Sequence, residues 1–181
     1  MGIEFKILDL IQELHTPVGD IIMPLITRLG DKGIVWIVLT VIFLLVPKTR
    51  KIGTILTVAL CVDFILCNGI LKNLFARIRP CDVNNSVQLL IARPDDFSFP
   101  SGHTAASFTV VAALFFAGEK NLWKSTLPVA ILIAFSRLYM YVHYPTDILG
   151  GIAVGIISGY AGCRIIGKIG TDIHQKNSNN L

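Results

Sequence analysis

Along residues 3–14 (IEFKILDLIQEL), apolar side chains recur at Ile3, Ile7, Leu10, Ile11 and Leu14, with charges between them. That is the spacing of one helical face, and it predicts an amphipathic helix lying on a membrane surface. An ordinary packed surface helix is the alternative. Pro17 ends this helix, and residues 18–29 form a second apolar stretch, interrupted by Pro24 and too short to span. Five longer apolar runs follow. Residues 33–47 carry no charge, and residues 52–71 carry only Asp63. Residues 101–118 hold only His103, and residues 125–143 hold Arg137 and His143 near one end. Residues 148–163 are uncharged and lead to Arg164 and Lys168, whose long side chains can snorkel. Crossing the hydrocarbon takes about 20 helical residues, so each run, extended by its flanks, predicts one span. The pattern predicts an all-α integral membrane protein, with a bundle of about five transmembrane helices plus an N-terminal amphipathic interfacial helix. It predicts one domain over 1–181, with residues 1–29 interfacial and residues 33–169 forming the bundle, broken by loop 77–100.

Composition agrees with that pattern. The chain is 53% hydrophobic and 15% charged, against about 25% charged in soluble domains, and its mean hydropathy is +0.67. The net charge of +4 comes without a dense Lys/Arg cluster carrying aromatics, so nucleic acid is not an expected partner. Cys61, Cys67 and Cys163 lie in apolar runs and only Cys81 in a polar one, which is neither a disulfide framework nor a CxxC metal site. Glu4, Asp9 and Glu13 break up the N-terminus, so no signal peptide is expected there. Lys48, Arg50 and Lys51, then Lys120 and Lys124, then Arg164, Lys168 and Lys176 fall on one side of the predicted bundle, which the positive-inside rule makes cytoplasmic. Trp36 and Trp123 fit interfacial anchors. Gly151, Gly155 and Gly159 form a doubled GxxxG, the pattern of close helix packing in lipid.

The remaining polar residues gather at the other side. Antiparallel spans bring Lys72 and Arg79, the stretch Pro100-Ser101-Gly102-His103, Arg137, His143 and Asp147 to one depth. An arginine in a span costs about 2.5–3.5 kcal/mol on insertion scales, so a partner is expected. Ser101 is a good N-cap, and the free N–H groups of a helix start form an anion site. Lys72 and Arg79 are seven apart, on roughly one helix face that Pro80 would stop, and Arg137 adds a planar fork for phosphate oxygens. Pro145 between His143 and Asp147 suits a tight turn that leaves the carboxylate near one imidazole nitrogen. On a continuous helix Arg137 and His143 point about 120° apart, which the long arginine side chain or unwinding before Pro145 must close. Asp63, mid-span, is read as structural, hydrogen-bonded to a neighbouring helix or to Asn68, with function as the alternative. Arg77 and Arg93 are read as solvated loop charges, with a second phosphate as the alternative, and His15 and His174 are assigned nothing.

Three stretches carry a resemblance: Lys72, six residues, Arg79-Pro80; then Pro100-Ser101-Gly102-His103; then Ser136-Arg137, five residues, His143, three residues, Asp147. Together they are similar to the three-part signature of the type 2 phosphatidic acid phosphatases, which include membrane lipid phosphate phosphatases and soluble vanadium haloperoxidases. The resemblance covers residues 72–147, with every key position present. Many relatives have six spans, and residues 1–29 here are too charged and broken to supply the first. The resemblance implies metal-independent, cofactor-free hydrolysis of a lipid phosphate or diphosphate at the outer face of a bacterial membrane. Polyprenyl diphosphate, phosphatidylglycerophosphate and phosphatidate are the implied substrates, the first favoured by the short chain. By the same resemblance His143 is the nucleophile, Asp147 its orienting carboxylate and His103 the general acid, while Lys72, Arg79, Ser101, Gly102 and Arg137 hold the phosphate. A lipid-phosphate binder or transporter without turnover is the alternative, disfavoured because anion binding alone has no need of two histidines. The haloperoxidase reading is disfavoured because those enzymes are soluble.

Overall fold

The computed structural model describes residues 2–178, with side chains through Lys168, so Lys176 and His174 lie outside the described side chains. All regular structure among the described residues is helical. Helices α1 (Ile3–Gln12) and α2 (Pro17–Leu29) come first, then α3 (Ile34–Leu45) and α4 (Arg50–Phe64). Helix α4 runs on through a π-helical segment, Ile65–Leu71, into α5 (Lys72–Phe75). One turn, α6 (Pro80–Val83), interrupts the long loop before α7 (Gly102–Phe116), α8 (Lys120–Tyr139) and α9 (Pro145–Ser178).

Sequence chemistry sets the ends. Thr16 caps α2 through its hydroxyl, with Pro17 at the first helical position. Ser101 caps α7 in the same way. Beyond the other end of α7, Gly118 takes a φ of +83°, the left-handed turn that glycine adopts without a Cβ penalty. Two stretches, Pro47–Val83 and Pro145–Lys168, are long and apolar enough to cross a membrane, while Gly102–Phe116 is apolar but shorter.

Helix α7 is the centre of the bundle and packs on α9, α8 and α4. The glycine stripe of α9 makes the first of these contacts. A Cβ at Gly159 would stand 2.6 Å from the Ala113 nitrogen, and one at Gly155 would stand 2.8 Å from the Ala105 oxygen, so larger residues would force the backbones apart. Trp36, Leu56, Val110, Leu114 and Ile133 fill the core between α3, α4, α7 and α8. Trp36 is 2% exposed and donates its Nε1–H to Ser107 Oγ at 2.9 Å. The expectation of an interfacial anchor there is thus corrected: a buried hydroxyl on α7 satisfies the indole and draws it inward. Helix α1 packs Leu8 and Ile11 against a cap formed with Tyr139, Tyr141 and Tyr144, and leaves Ile3 and Leu10 uncovered, with Leu14 exposed just beyond its end.

Candidate active site

The start of α7, the end of α8 and the start of α9 meet at one end of the bundle. The Ser101 N–H donates to the Asp147 carbonyl at 3.1 Å and ties α7 to α9. The Ser101 hydroxyl is spent on the cap, where it accepts from the Thr104 N–H and hydroxyl. The N–H groups of Gly102 and His103 remain without partners among the described residues, as the first turn of a helix leaves them.

Helix α8 ends at Tyr139, and Tyr141 adopts a left-handed φ of 58°. The chain therefore unwinds before Pro145, and this closes the angular gap between Arg137 and His143. His143 is 1% exposed. Its Nδ1 lies 3.3 Å from Asp147 Oδ2, and its Nε2 faces Arg79 Nη1 at 3.1 Å. Asp147, fully buried, accepts from the Tyr144 N–H and Ser98 Oγ on Oδ2 and from Arg77 Nη1 on Oδ1. A carboxylate held by that many donors is fixed in orientation and faces the imidazole with one oxygen.

Lys72 and Arg79 arrive by different routes from the one their spacing predicts. Helix α5 ends at Phe75, and Ala76 turns left-handed with φ 43°. Arg79 then reaches in from an extended residue, and Pro80 starts α6 instead of stopping the helix that holds Lys72. The shared helix face is therefore corrected, although both side chains still converge. Lys72 Nζ and Arg79 Nη2 both bind the Asp96 carboxylate. Arg79 also donates from Nε to the Asp96 carbonyl and from Nη1 to the Val142 carbonyl. Burial pushes the Asp96 carboxyl up, but hydrogen bonds and charge from Lys72 and Arg79 outweigh it and hold it at about 2. Below its ordinary value, that carboxylate keeps its cations until pH falls through about 2, so it occupies them throughout the neutral range.

Arg137 is 4% exposed; Nη1 donates to Thr27 Oγ1 on α2 at 2.6 Å, and Nε has no partner among the described residues. Arg77 is no solvated loop charge. It bridges Asp147 to Glu4 of α1 and stacks 3.9 Å over the Tyr144 ring. Arg93 pairs with Asp82 at the surface. Asp63 is buried outside the cluster, with Oδ1 unpartnered among the described residues. The sequence signature thus missed Thr27, Arg77, Asp96 and Ser98, none of which has a recognisable spacing to its partner.

Lys72, Arg79, Gly102, His103, Arg137 and His143 line one cavity of about 1370 Å³. Away from them the same cavity runs between α3 and α4, along Ile37, Val41, Leu44, Leu60 and Phe64. An anion-binding end therefore opens onto an apolar trench. Two imidazoles and three cations at that end suit transfer of a phosphoryl group, with positive charge over its oxygens and a nitrogen nucleophile within the pocket.

The sequence profile of the PAP2 superfamily matches residues 49–170. An undecaprenyl-diphosphatase of Sulfolobus acidocaldarius is 34% identical over 121 residues, 67% of this chain and 58% of that protein. The chain therefore spans little more than half the length of that relative. Among solved structures, Aquifex aeolicus LpxE has a TM-score of 0.78 at 28% identity, covering 91% of this chain and 96% of that one. The PAP2-type phosphatidylglycerolphosphate phosphatase of Bacillus subtilis has a TM-score of 0.73 at 26% identity, over 91% and 84% of the two chains.

Proposed function

The chain belongs to the PAP2 superfamily, and from that premise we propose that it hydrolyses phosphate from a membrane lipid phosphate or diphosphate through a phosphohistidine on His143. The observation that carries this reading is the single cavity that joins His103, His143 and the three cations to the apolar trench between α3 and α4. A substrate with a charged head and a long hydrocarbon tail fits both ends. A non-hydrolytic binder would have no use for an imidazole seated between a buried carboxylate and the phosphate site.

In the first step His143 Nε2 attacks phosphorus while Asp147 stabilises the imidazolium that forms. His103 protonates the departing lipid oxygen, then accepts a proton from the water that cleaves the phosphoramidate. Lys72, Arg79, Arg137 and the free N–H groups of Gly102 and His103 hold the non-bridging oxygens. Arg79, which caps His143 Nε2 in the resting pocket, swings its donors onto the phosphate as the nucleophile is released.

The membrane arrangement belongs to the same proposal. In it α3, α4, α7, α8 and α9 are the five spans, and the site faces the outside of the cell membrane. Helix α1 lies in the interface, and its uncovered Ile3 and Leu10, with Leu14 just after it, support that placement. The whole chain, with residues 1–29 interfacial and 33–169 in the bundle, acts as one domain.

The test is a panel of polyprenyl diphosphate, phosphatidylglycerophosphate and phosphatidate, with released phosphate measured in detergent. Release from at least one of them, persisting in EDTA because the cations supply the charge, is the expected result. Tight retention of all three without release favours the binder instead.

Asp96 gives a second expectation. Its carboxylate sits on the two cations that a phosphate needs, so an incoming anion must displace it. Asp96→Asn keeps the shape and removes the competing charge, and vanadate should then inhibit about tenfold more tightly, or ~1.4 kcal/mol. Weaker inhibition in the variant would make Asp96 a support for Arg79 and not a competitor of substrate.

A further inference from the structure

His143 is held through Nδ1, and the other imidazole lining the cavity, His103, is held through Nε2. His103 Nε2 donates to Asp31 Oδ1 at 2.9 Å. Asp31 lies in the short turn between α2 and α3, before the residues 49–170 that match the family profile. The turn is shaped to reach the ring. Lys32 and Gly33 both have positive φ, 51° and 70°, which folds the chain back immediately after Asp31. Gly30 lies so close to the imidazole that a Cβ there would stand 2.6 Å from His103 Cδ2. One turn earlier, Thr27 accepts from Arg137. Residues 27–33 therefore close one side of the pocket and touch two of its groups.

We propose that Asp31 is a positioning residue for His103: it holds Nε2 so that Nδ1 carries the proton delivered to the leaving oxygen. The inference rests on the phosphatase reading and deepens it. His103 Nδ1 makes no hydrogen bond to the described residues, so it is the nitrogen left for substrate. In the first half-reaction the P–O bond breaks as the His143 Nε2–P bond forms, and the Nδ1 proton passes to the leaving oxygen. The ring becomes neutral and keeps its Nε2 proton on Asp31. In the second half Nδ1 takes a proton from water as the water oxygen bonds to phosphorus and the P–N bond breaks. Asp31 thus keeps a proton on Nε2 in both halves, a task that needs an acceptor at that nitrogen and leaves Nδ1 free for substrate.

A positioning role for the general acid predicts a dependence on the leaving group. The experiment compares wild type with Asp31→Asn and Asp31→Ser, in the full chain, on two esters with the same dodecyl tail. One is dodecyl phosphate, whose alkoxide leaving group needs a proton; the other is a nitrophenyl phosphate bearing the dodecyl chain, whose leaving group does not. The quantity read is kcat/KM, which covers only the steps through leaving-group departure. Both variants should lose about tenfold to a hundredfold on the alkyl ester and less than about threefold on the nitrophenyl ester. The retained nitrophenyl activity also reports that the variants fold. Equal losses on the two esters, or no loss on either, overturn the assignment of Asp31. A wild type that releases no phosphate from dodecyl phosphate or from any lipid of the panel removes the hydrolase reading and this inference with it, whereas normal wild-type turnover with unchanged variants removes this inference alone.

Discussion

His143→Ala should release no phosphate above background, a loss on the order of 10⁴-fold or more, as expected when a covalent nucleophile is removed. The imidazole is 1% exposed, it is gripped on one nitrogen by Asp147, and its other nitrogen points at Arg79 among the cations. Water entering the vacated space would lack both the fixed position and the nucleophilicity of that nitrogen. The remaining cations would still bind phosphate, so KM for substrate and binding of inorganic phosphate should change far less than kcat. Acid-quenched wild type incubated with ³²P-labelled substrate should carry an acid-labile, base-stable label, and His143→Ala should carry none. Phosphate release by His143→Ala at the wild-type rate would remove the nucleophile from the scheme.

Asp147→Asn should lower kcat by about 10³–10⁴-fold while leaving the fold in place. Every direct partner of this carboxylate donates: His143 Nδ1, the Tyr144 N–H, Ser98 Oγ and Arg77 Nη1. An amide turns its NH₂ toward Arg77 in one orientation and toward the other three donors in the flipped one. It also removes the negative charge that faces the imidazolium of the phosphohistidine. Arg77 loses one of its two carboxylates and keeps Glu4, so the turn at Tyr144 should persist and the protein should still assemble in detergent. The discriminating measurement is kcat against KM, with kcat carrying nearly all of the loss. A kcat within tenfold of wild type would mean that Asp147 holds the Tyr144 turn and little else.

Much of this protein is legible along the chain. The apolar runs place α3, α4, α7, α8 and α9, because a helix in a bundle or a bilayer must be apolar around most of its circumference. Pro145 starts α9 where its missing N–H costs nothing, and Ser101 caps α7. Periodicity goes wrong where the chain leaves the helix it predicts. Lys72 and Arg79 share a helix face by their spacing, but Ala76 breaks that helix, and the two converge because Asp96 draws both. Trp36 reads as an anchor because Trp favours interfaces, and it is buried because Ser107 across the bundle satisfies its N–H.

Sequence by itself determined the apolar helices, the helix starts and the polar set His103, Arg137, His143 and Asp147 at one end of them. Each of those signals is local: a cap, a turn or a spacing within a few residues. Only the tertiary structure decided which side chains hold that set and the lysine beside it. Asp31 meets His103 across 72 positions, Arg77 meets Asp147 across 70, Thr27 meets Arg137 across 110, and Asp96 meets Lys72 across 24. An isolated Asp, Arg or Thr in a loop looks the same whether it is solvated or pressed against a buried charge. The difference is made by the packing that removes water from around it, and no stretch of chain carries that packing alone.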